Sequence, residues 1–488
     1  MQQARELRAP SPIDMRALIG PAVMMALGTV LAFFSGPIGA LIILIGYIWL
    51  AVRSLPAALA VYVIASPFPL GLTLHHHHVN LSDMMAIIMT IKLVVDTVRD
   101  SGASLWDRFA KSPFWRPLAL LIILSVLSLA TTLSHSTTII KILEYVEFFI
   151  VVVAVGRQAD LDESAWKPVI VALFGIAALL SIYGLYQFLF QVGPASNVVD
   201  THHVRADAVF GQPNAFGGFE AMVFPIAAAL LAYGPKWVKN GWTWAALVLI
   251  ALGVIDSFSR GAWVASVAAV FFMGVLAWVA RGKTMINRKF VFPAVIVPIL
   301  LFVVVDLLGK TNLSHHAAII SYQSTGERAR STVTALFHPK HHFDTNQRLL
   351  IWKAALNAIK SHPVLGVGLG GFHRYVVLHP VPGLVSAPPM AHNLYLEWGA
   401  DLGVLGIVAA LWLEWSWLKN AVSGVVTKVR KLSPFELALG IGAFGTIVSF
   451  VVHDWVDFMI DHGVIVPLLL ALAAVWALNA RRRSGESQ

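Results

Sequence analysis

Long apolar runs that carry almost no charge constrain this chain more than any other feature of its sequence. Two of them are LALLIILSVLSLATTL, at residues 118–133, and VFPAVIVPILLFVVVDLL, at residues 291–308. A bilayer core about 30 Å thick needs roughly 20 predominantly apolar residues per helix. Only helices and closed barrels satisfy every backbone group in hydrocarbon, and continuous rather than alternating apolar runs favour helices. The sequence therefore predicts an all-α fold, a polytopic transmembrane helical bundle.

The composition agrees with this class. Hydrophobic residues make up 58% of the chain, charged residues make up 12%, and the mean hydropathy is +0.75, whereas soluble domains average about 25% charged residues. We predict one integral membrane domain over residues 1–488, with about 12–14 helices. Cysteine is absent, which excludes disulfides and thiolate nucleophiles.

The basic residues divide unequally between the two predicted sides of the membrane. On the predicted topology, 24 of the 35 lysines and arginines lie on one side, and eight of the other 11 lie in one long loop, residues 309–391. Short cytoplasmic loops are enriched in lysine and arginine, whereas long translocated loops are exempt from this rule. We therefore expect both termini in the cytoplasm and an external subdomain at residues 308–391. The net charge of +9 then reflects insertion topology, and no nucleic-acid partner is expected.

The long external loop has a helical pattern of its own. TNQRLLIWKAALNAIKSH has apolar residues at helical spacing, with Asn346 as its expected N-cap and His362–Pro363 as its expected end. The glycine-rich stretch PVLGVGLGGFHRY predicts a sharp turn. HPVPGLVSAPPM is too rich in proline to be helical.

Polar residues in this apolar chain concentrate in four clusters at the predicted outer boundary. Three of them contain arginine: Arg205 ahead of Pro213–Asn214, Ser259–Arg260, and Arg348 four residues before Trp352. A single arginine at such a position is often only a snorkelling side chain with its head in the lipid headgroups. However, Arg205 and Arg260 oppose the inside bias of the other short-loop charges, and the guanidinium fork suits phosphate. Their convergence at one membrane face predicts a phosphate or diphosphate ligand.

The fourth cluster, AHNLYLEWGADLG, opens a predicted helix at residues 392–418. Small residues on one face of that helix would let a neighbouring helix pack closely and bury His392 between helices, where it could act as a general base. The alternative is that His392 anchors the interface while Asn393 caps the helix. The residues predicted to share the face are His392, Leu396, Gly399, Gly403 and Gly406.

Two acidic residues follow on another face of the same predicted helix. Glu397 and Asp401 lie four residues apart and are expected to pair with arginine or to line an aqueous cavity.

The residues considered as metal ligands are histidines. His338, His341 and His342, or His75 to His78, have suitable side chains, but no acidic or cysteine partner stands at a convincing spacing. We therefore expect no metal, and the absence of a Gly-x-x-x-x-Gly-Lys motif leaves nucleotide binding unsupported.

Taken together, the four clusters resemble the O-antigen ligase / O-antigen polymerase family of bacterial membrane glycosyltransferases. The resemblance runs in the family's order over residues 204–406, which we designate the O-antigen ligase-like region. The residues that carry it are Arg205, Pro213–Asn214, Ser259–Arg260–Gly261, Arg348, Trp352, Pro363, Gly366, Gly368, His392–Asn393 and Tyr395–Leu396.

The resemblance implies a glycosyltransferase of the bacterial cytoplasmic (inner) membrane with its active site facing outward. Its donor would be an undecaprenyl-diphosphate-linked oligosaccharide, and its acceptor lipid A-core in a ligase or a lipid-linked glycan in a polymerase. Transfer would be inverting and would need neither metal nor cofactor. His392 would be the base, and Arg260 and Arg348 would clamp the diphosphate. The expected substrate-binding residues are Arg205, Asn214, Ser259, Trp352, Asn393 and Tyr395.

A multi-pass transporter or flippase of lipid-linked glycans is the alternative. Such proteins place charged or helix-breaking residues at the middle of the bilayer. Here the ionisable residues of the predicted helices, among them Asp83, Lys92 and Asp306, lie mostly near helix ends, which favours the enzyme.

Overall fold

The fold is helical, which confirms the predicted class. The computed structural model describes residues 15–74, 77–101, 112–158, 163–194, 197–199, 203–282, 286, 288–308, 343–427, 429, 431–460 and 463–485. Within these residues, six helices are long and apolar enough to cross a membrane: Gly36–Arg53, Glu163–Phe190, Pro213–Tyr233, Arg260–Arg281, Arg288–Leu307 and Pro434–Asp454. Five shorter apolar helices accompany them. The chain is therefore a polytopic helical membrane protein.

The described residues up to Val204 form seven α-helices and two short antiparallel hairpins that the sequence did not predict. They are α1 (Met15–Ala32), α2 (Gly36–Arg53), α3 (Leu55–Ala65), the hairpin β1 (Gly71–Leu74) and β2 (His77–Asn80), α4 (Leu81–Ser101), α5 (Trp115–Leu127), α6 (His135–Gln158), α7 (Glu163–Phe190), and the hairpin β3 (Val198–Val199) and β4 (His203–Val204).

The described residues from Pro213 onward form the helices that carry the predicted site. They are α8 (Pro213–Tyr233), α9 (Gly241–Asp256), α10 (Arg260–Arg281), α11 (Arg288–Val291), which continues through a π-helical turn at Phe292–Ile296 into α12 (Val297–Leu308), α13 (Phe343–Ser361), α14 (Phe372–Leu378), α15 (Leu394–Leu402), α16 (Val404–Val426), α17 (Pro434–Asp454) and α18 (Val466–Gly485).

Helices α8 and α17 form the centre of the bundle. Small residues allow their backbones to approach closely, as at Gly442, where a Cβ atom would lie 2.9 Å from the Cα of Ile226. The Thr446 hydroxyl donates a hydrogen bond of 2.7 Å to the carbonyl of Met222 across this contact. Because α8 is buried along its membrane-spanning length, packing on all sides fixes the position of its first turn, which contains Asn214.

The predicted helix at 392–418 is wrong in one respect, because the structure breaks it into α15 and α16 at Gly403. This glycine has a φ of 74°, a conformation that side chains other than glycine rarely adopt. The Val404 amide then donates to the carbonyl of Pro363, at 2.9 Å. His392 lies before α15 with a φ of 50°, so the predicted shared face of His392, Leu396, Gly399, Gly403 and Gly406 does not form.

The segment predicted to be external forms a helix where the sequence predicts one, but with a different start. Helix α13 is already formed at Phe343 and runs to Ser361, so Asn346 lies inside it and is not its N-cap. The glycine-rich turn follows, with positive φ at Gly366, Gly368 and Gly370. Residues 309–342 of the predicted subdomain, including His338, His341 and His342, lie outside the described residues, as do His75 and His76.

Of the two acids of α15, Asp401 stabilises this turn, whereas Glu397 binds the chain just ahead of α15. Asp401 accepts hydrogen bonds from the amides of Gly370 (2.6 Å) and Phe372 (3.0 Å), and Glu397 accepts one from the amide of Ala391. Both carboxyl groups are buried. The bonds that the structure describes for them go to backbone N–H groups rather than to an arginine or an aqueous cavity.

Candidate active site

A buried carboxylate connects three of the four predicted clusters. Asp457 lies in residues 455–465 between α17 and α18, with its side chain 1% exposed. Its Oδ1 lies 2.7 Å from Nδ1 of His392, and its Oδ2 accepts a 2.6 Å hydrogen bond from Nδ2 of Asn214. Nη2 of Arg348 lies 3.6 Å from the same Oδ2. The cluster of Asp457, His392, Asn214 and Arg348 is called the Asp457 cluster below.

Hydrogen bonds at the end of α17 and just after it place Asp457 at this position. The His453 carbonyl accepts hydrogen bonds from the amides of Val456 (2.9 Å) and Asp457 (3.0 Å), which turns the chain at once. Asp454 then accepts a 2.8 Å bond from the amide of Met459. Backbone hydrogen bonds on both sides of Asp457 therefore fix where its carboxylate points.

His392 reaches Asp457 because it stands just outside a helix. Asn393 caps α15 by accepting a 2.9 Å bond from the amide of Leu396, and its Nδ2 donates at 2.8 Å to the carbonyl of Trp455. This capping anchors the start of α15 to the end of α17. With Nδ1 of His392 bound to a carboxylate, Nε2 is the ring nitrogen that remains for a substrate, as in enzymes where a carboxylate orients a histidine base.

The electrostatics keep Asp457 ionised. Burial alone would raise the pKa of its carboxyl group, but the attraction and hydrogen bond of His392, with the charge of Arg348, hold that pKa below its ordinary value. An ionised carboxylate beside Nδ1 accepts a hydrogen bond there and orients the imidazole ring.

Arg205 extends the Asp457 cluster through Asn214. Its Nη2 donates a 2.6 Å bond to Oδ1 of Asn214, and its Nε donates at 3.0 Å to the carbonyl of Ser257. The loop that carries Arg205 is anchored by buried Asp207, which accepts a 2.7 Å hydrogen bond from the Nε2 of Gln187. The first and fourth predicted clusters are thus joined through side chains.

Ser259 and Arg260 open α10 beside this cluster. The Ser259 hydroxyl is buried and caps the helix by accepting from the amide of Ala262 at 3.4 Å, while Arg260 is half-buried. The next residue, Gly261, packs against the ring of His453, since a Cβ there would lie 2.6 Å from Cδ2 of that ring. The start of α10 therefore lies against the end of α17 that positions Asp457.

Arg348 connects helix α13 to the same loop. Its Nη1 donates to the carbonyl of Val456, next to Asp457. One turn along, the indole N–H of Trp352 is buried and, among the described residues, has no hydrogen-bond partner. An unsatisfied buried donor is costly, so its position next to Arg348 suggests that a ligand group accepts from it.

Tyr395, one of the expected substrate-binding residues, also makes contacts within the protein. Its hydroxyl donates a 2.7 Å bond to Glu414 of α16, and its ring packs on Trp455 at a centroid distance of 4.8 Å. Like Ser259 and Asn393, it has a described contact that holds the helices bearing the site.

Asp457 is the functional candidate that sequence reasoning missed. It lies in VVHDWVDFMIDHG, beyond the region of family resemblance. The signal was available, because three ionisable groups in five residues, His453, Asp454 and Asp457, at the end of an apolar helix are unusual.

An apolar groove lies beside the start of α10. It has a volume of about 670 Å³ and runs between α9, α10 and α12. Trp263, one turn after Arg260, lies in its wall. Other lining residues are Val254, Phe271, Ile299 and Phe302.

Comparison with protein families gives a match in the second half of the chain. Residues 245–411 match the family model described as O-antigen ligase, a span that includes the predicted residues of α10, α13 and α15 but not Arg205, Asn214 or Asp457. No curated protein matches the chain. The family match agrees with the resemblance drawn from the motifs: residues 245–411 of this membrane protein are similar to the O-antigen ligase family.

Proposed function

We propose that the protein is a membrane glycosyltransferase that moves a glycan from undecaprenyl diphosphate to an acceptor hydroxyl, with His392 as the base. The observation that carries this proposal is the 2.7 Å contact between Nδ1 of His392 and the buried carboxylate of Asp457. The match to the O-antigen ligase family supports glycan transfer as the reaction class.

In the proposed step, Nε2 of His392 accepts the proton of the acceptor hydroxyl while its oxygen attacks the anomeric carbon of the donor sugar. The bond from that carbon to the diphosphate oxygen breaks, and its electron pair leaves with undecaprenyl diphosphate. Direct displacement inverts the anomeric centre. The proton remains on His392 beside Asp457 until water removes it, so each turnover restores the base.

The arginines supply the charge that the leaving diphosphate needs. Arg348 and Arg205 are both held at the Asp457 cluster, and Arg260 opens the adjacent helix. Guanidinium groups fixed in advance stabilise developing negative charge without a metal ion. We assign Arg260 and Arg348 to the diphosphate, Arg205 to a supporting role, and the Trp352 N–H, which has no partner among the described residues, to a donor oxygen.

The apolar groove fits the lipid part of the donor. Its described lining is almost wholly hydrocarbon and aromatic, and it begins one turn from Arg260. A polyprenyl chain in the groove would place its diphosphate at the start of α10.

The orientation of the protein in the membrane completes the proposal. The distribution of basic residues favours cytoplasmic termini and a site on the outer face of the cytoplasmic membrane. A single cysteine introduced by Val385→Cys, at a position 73% exposed, should react with a membrane-impermeant thiol reagent in intact spheroplasts. Reaction only after permeabilisation would reverse the orientation.

Reconstitution tests the activity. Purified protein in liposomes, given an undecaprenyl-diphosphate oligosaccharide with or without lipid A-core, should release undecaprenyl diphosphate. A single transfer to lipid A-core identifies a ligase, and a ladder of lipid-linked products identifies a polymerase. His392→Ala should abolish transfer, whereas His373→Ala, which removes an exposed histidine of α14, should not. Movement of the intact donor across the bilayer without transfer would instead support the flippase alternative.

A further inference from the structure

Helix α13 has two opposite faces that are both distinctive. One face is buried against the protein and consists of small and apolar residues. The other is exposed and alternates leucine with lysine, at spacings of four, three and four residues that keep it on one side of a helix. The buried face is Ile351, Ala354, Ala355 and Ala358, and the exposed stripe is Leu349, Lys353, Leu356 and Lys360.

Both ends of α13 are tied to one end of the membrane bundle. Near its start, Arg348 donates to the carbonyl of Val456, two residues beyond the end of α17. Just beyond its last residue, the Pro363 carbonyl accepts from the amide of Val404, the first residue of α16. Since residues 427–433 join the far end of α16 to the far end of α17, these two tie points are at the same end of the bundle.

A helix tied in this way lies along the membrane boundary instead of rising from it. Arg348 and Pro363 are separated by about 22 Å of helix at 1.5 Å per residue. The exposed stripe continues directly into a lipid-facing surface, because exposed Val364 adjoins Gly403, and Val404 and Leu405 at the start of α16 are also exposed.

The charge of the stripe selects its partner. Helix α13 carries Arg348, Lys353 and Lys360, and its one acidic residue, Asp344, is in its first turn, ahead of the stripe. Leucines can enter the headgroup layer while lysines extend their stems along apolar surface and place their ammonium groups at lipid phosphates. Basic residues near a membrane surface favour anionic lipids.

We infer that α13 is an interfacial helix whose Leu349–Lys353–Leu356–Lys360 stripe is seated in the anionic headgroup layer of the adjacent leaflet. This position in the headgroup layer sets the depth in the membrane at which Arg348 and Trp352, on the same helix, would contact a ligand carried by a lipid. This inference goes beyond the transfer reaction and does not require it.

The absence of cysteine makes the test direct. Leu356→Cys places a unique thiol on the stripe, and Asn357→Cys places one at the next position, which is also exposed but about 100° around the helix. Each full-length variant is labelled with an environment-sensitive fluorophore and reconstituted into nanodiscs containing phosphatidylglycerol and a headgroup-proximal nitroxide lipid. The label at 356 should lose more fluorescence and emit further to the blue than the label at 357.

Charge is tested in the same assay. Replacing phosphatidylglycerol by phosphatidylcholine, or introducing Lys353→Gln with Lys360→Gln, should reduce the quenching at 356. If the double variant does not fold, raising the salt concentration on the singly labelled protein applies the same test. Equal quenching at 356 and 357, or a signal at 356 indifferent to lipid charge and salt, would overturn the inference. Because no glycan transfer is measured, failure here is distinct from failure of the proposed enzyme.

Discussion

Replacing Asp457 by asparagine is the sharpest test of the site, because the change preserves shape and removes one charge. All the described partners of the Asp457 carboxylate are donors. Oδ2 faces Nδ2 of Asn214 and the guanidinium of Arg348, and Oδ1 faces the amide of Phe458 as well as His392. Whichever way the new amide is turned, its NH₂ group faces a donor.

The size of the effect follows from what His392 loses. A hydrogen bond to a charged group contributes about 1.5–3 kcal/mol, and each 1.36 kcal/mol added to a barrier slows a reaction tenfold. Because the proposed proton transfer to His392 takes place in the chemical step, most of this loss should fall on kcat. We expect kcat to decrease by about 10- to 150-fold, with a smaller change in KM.

The assay is release of undecaprenyl diphosphate by reconstituted protein at saturating donor. Asp96→Asn is the matched control, since Asp96 pairs with Lys92 on α4 at 2.6 Å and is partly exposed; this variant should retain full activity. Both variants should elute as the wild type does in size-exclusion chromatography. A folded Asp457→Asn protein with kcat within twofold of the wild type would refute the role of Asp457.

Three further predictions concern charge and backbone. Arg348→Lys should lower kcat/KM by about 5- to 150-fold, because one ammonium group cannot replace a guanidinium that contacts both the Val456 carbonyl and Asp457. An unchanged kcat/KM in the same assay would exclude a role for Arg348 in the reaction. The pKa of Asp457 is lower in the folded protein than in the unfolded chain, where it is about 3.9. The ionised carboxylate therefore stabilises the fold fully above the unfolded pKa, and this contribution is lost as the pH falls through the lower native pKa. At pH 5, wild-type minus Asp457→Asn infrared spectra should show a carboxylate band and no protonated carboxyl band. Gly403→Ala should lower the thermal unfolding temperature more than Gly282→Ala does. Both glycines have positive φ, but a Cβ at Gly403 would lie 2.5 Å from the Val364 carbonyl carbon, whereas a Cβ at Gly282 would have nothing within 4 Å. Equal shifts would mean that the close contact at Gly403 does not destabilise the fold.

Sequence reasoning identified the features that depend on local pattern. Apolar run length predicted the bundle, and helical spacing predicted α13 and its end near Pro363, because each depends on residues within a few turns of one another. The arginines were singled out by their side of the membrane, a property that charge distribution encodes.

The features that it missed depend on distant partners. Gly403 reads as a small residue on a continuous helix, and the break there is stabilised by a bond to Pro363, which lies in the preceding segment predicted to be external. Asp457 meets a histidine 65 residues earlier and an asparagine 243 residues earlier. Pairings at such separations leave no periodic trace in one sequence.

The long separations within the Asp457 cluster also bear on when the protein can act during its synthesis. Arg205, Asn214, Arg348 and His392 all leave the ribosome before Asp457, and His392 precedes it by 65 residues. A partly inserted chain therefore has its arginines and its histidine but not the carboxylate that lies against Nδ1 of that histidine. Under the proposed mechanism, an unfinished chain thus lacks an oriented base and transfers no glycan.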